Sequence, residues 1–157
     1  MITIKELKCH ERALEVCVQA NDYFQLVSGR SVTRADVDEI FVTVPPTKTL
    51  TDKLILGVYE DSTLIGMIDV IKDYPSESIG WIGLFLLVCD KRNHGLGKSV
   101  HQTLIEQLKA CGANFIRLGV IERNTKALKF WERIGYKTQQ VKTMDTDSMM
   151  IMELELS

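Results

Sequence analysis

The chain has 157 residues, 45% hydrophobic and 25% charged, enough to bury one sizeable core with the composition of an ordinary globular domain. A formal net charge of −2 supplies no general attraction to nucleic acid or an anionic membrane, and the basic residues form no long run. No apolar stretch reaches the roughly 18 residues of a spanning helix, and the N-terminus lacks the apolar core of a signal peptide. One domain over residues 1–157, in the cytosol and with no membrane or nucleic-acid partner, is therefore expected. Cys9, Cys17, Cys89 and Cys111 contain no Cys-x-x-Cys pair and share no metal-ligand spacing with the histidines. Reduced thiols and no metal site follow as expectations.

In chain order, residues 2–7 read as a strand and residues 10–28 as one helix, with Ala13, Val16, Cys17, Ala20, Phe24 and Leu26 or Val27 along one side and Gly29 at its end. A second helical segment, Arg34 to Val42, precedes the break at Pro45-Pro46. Residues 54–59 and 64–71 form the arms of a hairpin around Glu60-Asp61-Ser62-Thr63. Asp69 interrupts the second arm on the face of Met67 and Ile71, where loss of water would raise its pKa. Trp81 to Val88 is a nearly unbroken apolar run, the mark of a strand covered on both faces. Residues 98–110 return to helical periodicity, with Val100, Leu104, Leu108 and Cys111 on one face and Gly112 as the stop signal. Phe115 to Ile121 is short and rich in β-branched residues, so it reads as a strand. Asn124 then caps a helix in which Ala127, Phe130, Trp131 and Ile134 share a side, closed by Gly135. The tail supplies two last strands around residues 145–148.

The stretch Arg92-Asn93-His94-Gly95-Leu96-Gly97-Lys98 separates the apolar strand from the next helix. Two glycines spaced one apart let the backbone turn sharply and approach a ligand, because neither carries a Cβ. The amides of Asn93 through Ser99 then converge at a helix N-terminus, whose free N–H groups and dipole favour a diphosphate. Arg92 and Lys98 add full positive charges. A dinucleotide loop would place a third glycine at Val100, and a P-loop would place a glycine at Arg92, although Gly97-Lys98-Ser99 fits its end. A small P-loop-like nucleotide-binding domain is thus the rival reading.

Arg92-x-x-Gly95-x-Gly97 meets every position of the pattern Arg/Gln-x-x-Gly-x-Gly/Ala. Asn124-x-x-Ala127-x-x-Phe130-Trp131-x-x-x-Gly135-Tyr136 is similar to Asn-x-x-Ala-x-x-Leu/Phe-Tyr-x-x-x-Gly-Phe. Together they resemble the GNAT N-acetyltransferase superfamily, and the order of elements extends the likeness over nearly the whole chain. The fold class this resemblance implies is α/β, an α+β mixed sheet of about seven mostly antiparallel strands with helices on both faces and splayed central strands. It implies acetyl-CoA as co-substrate, an amine acceptor, small molecule or peptide, that attacks the thioester directly in a ternary complex, and a monomer or homodimer.

Carried onto residues, the resemblance gives the backbone of Leu86, Leu87 and Val88 to the pantetheine arm, with Gly119 in the facing strand helping the separation. It gives the amides of Arg92, Asn93, His94, Gly95, Leu96, Gly97, Lys98 and Ser99 to the pyrophosphate. Asn124, Ala127 and Trp131 line the adenylyl and pantetheine side; for Asn124 a plain helix cap is an equal reading. The N–H of Leu87 becomes the oxyanion donor. Trp131 stands where many members carry an acidic tyrosine, and an indole is no usable acid, so Tyr74, Tyr136 or a water is left to serve. Trp81 to Val88 holds no carboxylate, which makes Asp69 the substitute base, ahead of Glu77 or a water chain. Residues 21–47 would cover the acceptor, with Tyr23, Phe24 and Arg30 against it. Because neither catalytic group is plain, a non-catalytic CoA-binding sensor is the alternative.

Overall fold

A computed structural model describes residues 1–157. Its seven strands are β1 (Ile2–Glu6), β2 (Lys53–Glu60), β3 (Thr63–Ile71), β4 (Ile79–Leu87), β5 (Phe115–Ile121), β6 (Lys137–Thr143) and β7 (Ser148–Glu155). They form one sheet in the order β1-β2-β3-β4-β5-β7-β6, flanked by α1 (His10–Gln19), α2 (Asn21–Ser28), α3 (Arg34–Val42), α4 (Leu96–Ala110) and α5 (Thr125–Ile134). Every neighbouring pair is antiparallel except β4 with β5. No helix is long and apolar enough to cross a membrane.

The single helix expected over residues 10–28 is two. Ala20 leaves helical geometry at φ −122°, ψ 28°, and the side chain of Asn21, the next residue, accepts from the Val32 N–H at 2.8 Å. The apolar stripe hides the break, because Ala13, Val16, Cys17, Ala20 and Phe24 stay buried through it. Leu26 does not join that stripe and is exposed.

The β3–β4 register contains the irregularity that shapes the centre of the molecule. Asp69 pairs with Leu84 and Val70 with Ile82, so Gly83 has no partner and forms a bulge. A bulge bends its strand. On the other side of β4, pairing with β5 runs from Ile79–Phe115 to Ile82–Leu118 and stops. From Gly83 onward β4 therefore diverges from β5 and leaves a wedge-shaped gap. Gly66 keeps β3 close to the diverging strand, since a Cβ there would lie 2.5 Å from the Leu86 carbonyl oxygen. Gly119, expected to help the separation, instead accommodates the Met149 side chain, whose sulfur lies 2.6 Å from where its Cβ would be. The separation itself begins beyond the Ile82–Leu118 pair, where Gly83 of β4 and Gly119 of β5 stand at one level.

Candidate functional site

Beyond Gly83 the edge of β4 that faces the gap is bare backbone. The Val88 N–H donates to the Ile65 carbonyl at 2.9 Å, toward β3. Peptide groups alternate along a strand, so the N–H and C=O of Leu87 point the opposite way, into the gap. Its carbonyl accepts from Arg92 Nε at 3.0 Å, and its N–H is aimed alongside. Leu86, Leu87 and Val88 are themselves buried, and of the three only Leu87 turns its peptide groups to the gap, since Leu86 and Val88 fall on the alternate positions that face β3.

The loop that follows β4 turns through two left-handed residues, Asn93 (φ 64°) and Gly95 (φ 77°), and feeds α4. Asn is among the residues that tolerate this region. No side chain caps α4, and its first turn carries no acidic residue. The opening amides of Leu96, Gly97 and Lys98 thus keep the free donors and positive end of the dipole that attract an anion. Asn93, His94, Gly95, Lys98 and Ser99 are exposed around them. By contrast α3 is closed by a Thr33–Asp36 capping box, and Asn124 Oδ1 accepts from the Ala127 N–H at 3.3 Å at the start of α5. Asn124 is accordingly a helix cap.

Two residues of the loop behave unlike the sequence reading. Arg92 does not add its charge to the front of the loop, because its guanidinium turns back to the Leu87 carbonyl and forms an ion pair with Asp22 of α2. The Cys89 thiol also donates to Asp22, at 3.4 Å. Burial pulls Asp22 upward, but these hydrogen bonds prevail and hold it below the usual carboxylate range. Gly97 is bare for a packing reason, since a Cβ there would stand 2.9 Å from the Phe130 ring of α5.

On the far lip of the gap, Arg123 at the end of β5 donates to the Leu26 carbonyl at 2.8 Å and to Asp147 at 2.8 Å. Helix α2 is thereby tied to the ends of both diverging strands, through Asp22 and Leu26. A cleft of about 510 Å³ opens beside this tie, lined by Glu122, Arg123, Thr143, Met144, Thr146, Asp147 and Ser148. The sequence reading missed it, because it arises only when the β6–β7 turn folds against the end of β5.

The expected acceptor residues fare differently. Phe24 is buried in the core. Arg30 is fastened to Asp36 by two hydrogen bonds of 2.8 and 2.7 Å, as part of the closure of α3. Tyr23 packs edge-on against Phe24 at 5.2 Å, and burial raises its pKa.

Asp69 lies over the Gly83 bulge, its Oδ2 3.0 Å from where a Gly83 Cβ would be. Burial raises its pKa and Lys53, 3.1 Å away, opposes the rise. Its other oxygen, Oδ1, is buried without a hydrogen-bond partner. Trp131 sits in an aromatic cluster with Phe130 at 4.8 Å, Phe85 and Tyr136 each at 5.1 Å, and His101 at 5.8 Å. Tyr136, one of the acids considered, is sealed beneath it and bonded to His101 Nε2 at 2.8 Å. Burial pushes its pKa far up, so it holds its proton too tightly to serve as the acid. No group of three or more His, Cys, Asp or Glu side chains is gathered as a metal site.

The comparisons agree with this geometry. No curated protein sequence matches the chain. Among solved structures, an aminoglycoside acetyltransferase, AAC(6')-Ib, in complex with coenzyme A superposes with a TM-score of 0.76 at 18% identity, covering 99% of this chain and 95% of its own. An acetyltransferase from Thermus thermophilus gives 0.75 at 19% identity, with 99% and 97% covered. The PaiA N-acetyltransferase from Thermoplasma acidophilum in complex with coenzyme A gives 0.70 at 19% identity, with 99% of each chain covered. The model of the acetyltransferase (GNAT) family matches residues 18–136, which sets aside the P-loop reading: the chain belongs to the acetyltransferase (GNAT) family of enzymes.

Proposed function

We propose that this protein is an N-acetyltransferase that moves an acetyl group from acetyl-CoA to a primary amine in a ternary complex. The observation that carries the reading is the conjunction of the uncapped α4 N-terminus with the bare edge of β4 beside it. The amides from Asn93 to Lys98 receive the pyrophosphate, the Arg92 N–H being donated already to the Cys89 carbonyl, and the gap-facing peptide groups of Leu87, rather than those of Leu86 and Val88, receive the pantetheine arm as a further strand would pair. Ala127 and Trp131, on α5 beside the loop, flank that arm.

An alkyl amine, with a pKa of about 10, is mostly protonated at neutral pH and must lose a proton before it attacks. Asp69 takes that proton, its basicity raised by burial. The nitrogen then bonds to the thioester carbonyl carbon, the Leu87 N–H stabilises the oxyanion, and the C–S bond breaks as the thiolate leaves with its electron pair. The second proton of the nitrogen, made acidic by the new N–C bond, passes through water to the departing thiolate, since Tyr136 is sealed away. The acceptor enters beneath α2, by the cleft of Glu122, Arg123 and the β6–β7 turn. That cleft, rather than Phe24 or Arg30, supplies polar groups for an amine, of a small molecule or a peptide.

The test is a pair of titrations followed by an acceptor screen. Acetyl-CoA at about a hundred times its dissociation constant stabilises the fold by about 2.7 kcal/mol, while Mg-ATP leaves thermal unfolding unchanged. Amines of graded size and charge are then screened for free CoA release. Stabilisation by ATP alone overturns the site; binding of acetyl-CoA with no release by any amine makes the protein a CoA-binding sensor.

A further inference from the structure

The most deeply buried charged side chain among the ion pairs belongs to a residue that the proposed chemistry does not yet use. The Lys53 side chain is 3% exposed. Its ammonium donates to the Thr43 carbonyl, just past the end of α3, at 2.6 Å and to Asp69 Oδ2 at 3.1 Å. A bare ammonium at such depth is costly unless it is paired and hydrogen-bonded. Lysine is otherwise a residue of solvated surfaces, and this one is placed at the first position of β2, directly opposite Ile71 and two residues along from Asp69.

The place it reaches is the centre of the site. Asp69 stands on β3 where the ladder to β4 skips Gly83, and pairing of β4 with β5 ends at the residue before, Ile82. Gly83 has no side chain of its own, and the Asp69 carboxylate lies over it, with Oδ2 3.0 Å from where its Cβ would be, at the residue where the pairing of β4 with β5 has just ended. β4 carries no titratable side chain between Ile79 and Leu87. From α3 only the Thr43 carbonyl takes part, and among charged groups only Lys53 acts on Asp69, none from the α1 helix packed on β3.

We propose that Lys53 is a positioning residue for acyl transfer: anchored on the end of α3, its ammonium holds the Asp69 carboxylate over Gly83, at the mouth of the gap, in the anionic form that accepts the acceptor's proton. Lys53 touches neither acetyl-CoA nor the amine in this assignment. It opposes the rise that burial imposes on the Asp69 pKa, and it fixes one oxygen so that the carboxylate cannot swing away from the bulge. The inference rests on Asp69 as the base, but the hold of Lys53 on Asp69 is measurable without any turnover.

The experiment follows the Asp69 side-chain carboxyl by carbon-13 NMR titration, with the resonance assigned by its loss in Asp69→Asn. In Lys53→Gln and Lys53→Met the titration midpoint rises by about one pH unit or more, a tenfold gain in proton affinity. Gln keeps a donor for the Thr43 carbonyl and guards against a variant that fails to fold. In parallel, acetyl transfer from acetyl-CoA to n-butylamine is followed across pH by free thiol. The acidic limb of kcat/KM moves up by the same interval in both variants, and KM for acetyl-CoA stays as in the parent. An unchanged Asp69 midpoint in a folded Lys53→Gln protein overturns the role of Lys53. An acidic limb that persists in Asp69→Asn instead removes Asp69 as the base, and with it the catalytic purpose of the hold, even where the resonance has moved.

Discussion

Gly97 of the loop and Phe130 of α5 are in direct contact, with 2.9 Å between the ring and the position a Cβ on Gly97 would take. The two residues belong to separate motifs, and their contact locks the start of α4 against α5. Gly97→Val is therefore expected to lose stability outright, by roughly 1–3 kcal/mol from overpacking, in addition to any loss of CoA binding. Urea unfolding of Gly97→Val and of Gly97→Val/Phe130→Leu checks this: the second change recovers part of the loss. Equal stabilities for Gly97→Val and the parent would show that the contact is slack.

Gly95 behaves differently. Nothing lies within 4 Å of its would-be Cβ, but its φ is +77°. Gly95→Ala should cost about 1 kcal/mol from the left-handed backbone alone and weaken CoA binding through a distorted turn. Calorimetric titration with CoA, beside thermal unfolding, separates the two effects.

His101 gives the fold a dependence on pH. Burial lowers its pKa from 6.5 to about 4, so the folded state holds the ring neutral where the unfolded chain protonates it. Between those values the unfolded state binds more protons, and stability rises with pH. The contribution is full above pH 6.5 and is lost as pH falls through about 4, amounting to roughly 3 kcal/mol at most. Denaturation midpoints measured from pH 4 to 7 should show the slope, and His101→Gln should flatten it.

Trp131 fills a place walled by the rings of Phe85, Phe130, Tyr136 and His101. Trp131→Phe is expected to keep most turnover, because an indole has no proton to transfer. A fall of about a hundredfold or more in maximal rate, the scale of a lost general acid, with acetyl-CoA affinity unchanged, would assign the indole N–H a part in the reaction.

Much of this was legible along the chain because the signals were local. The strand Phe115–Ile121 is set by its β-branched run, and the termini of α5 by Asn124 and Gly135. The kink at Ala20 was not legible, since a buried stripe continues across it. Nor was the partner of Asp69, because Lys53 becomes its neighbour only through the antiparallel register of β2 with β3. Arg92 illustrates the same limit: its charge suggested a phosphate ligand, while the fold brought Asp22, seventy positions away in sequence, to meet it.

The short parallel pairing between Ile79–Ile82 and Phe115–Leu118 has a consequence for how the molecule comes apart. It is the one seam between two sets of antiparallel strands, β1 to β4 and β5 to β7, each drawn from its own stretch of chain. Such sequence-local sets can open as separate cooperative units, while the seam must wait for α4 to carry the chain across. Backbone amides should therefore exchange with solvent in two groups divided at β4 and β5, and a ligand strand laid into the gap would draw the two rates together.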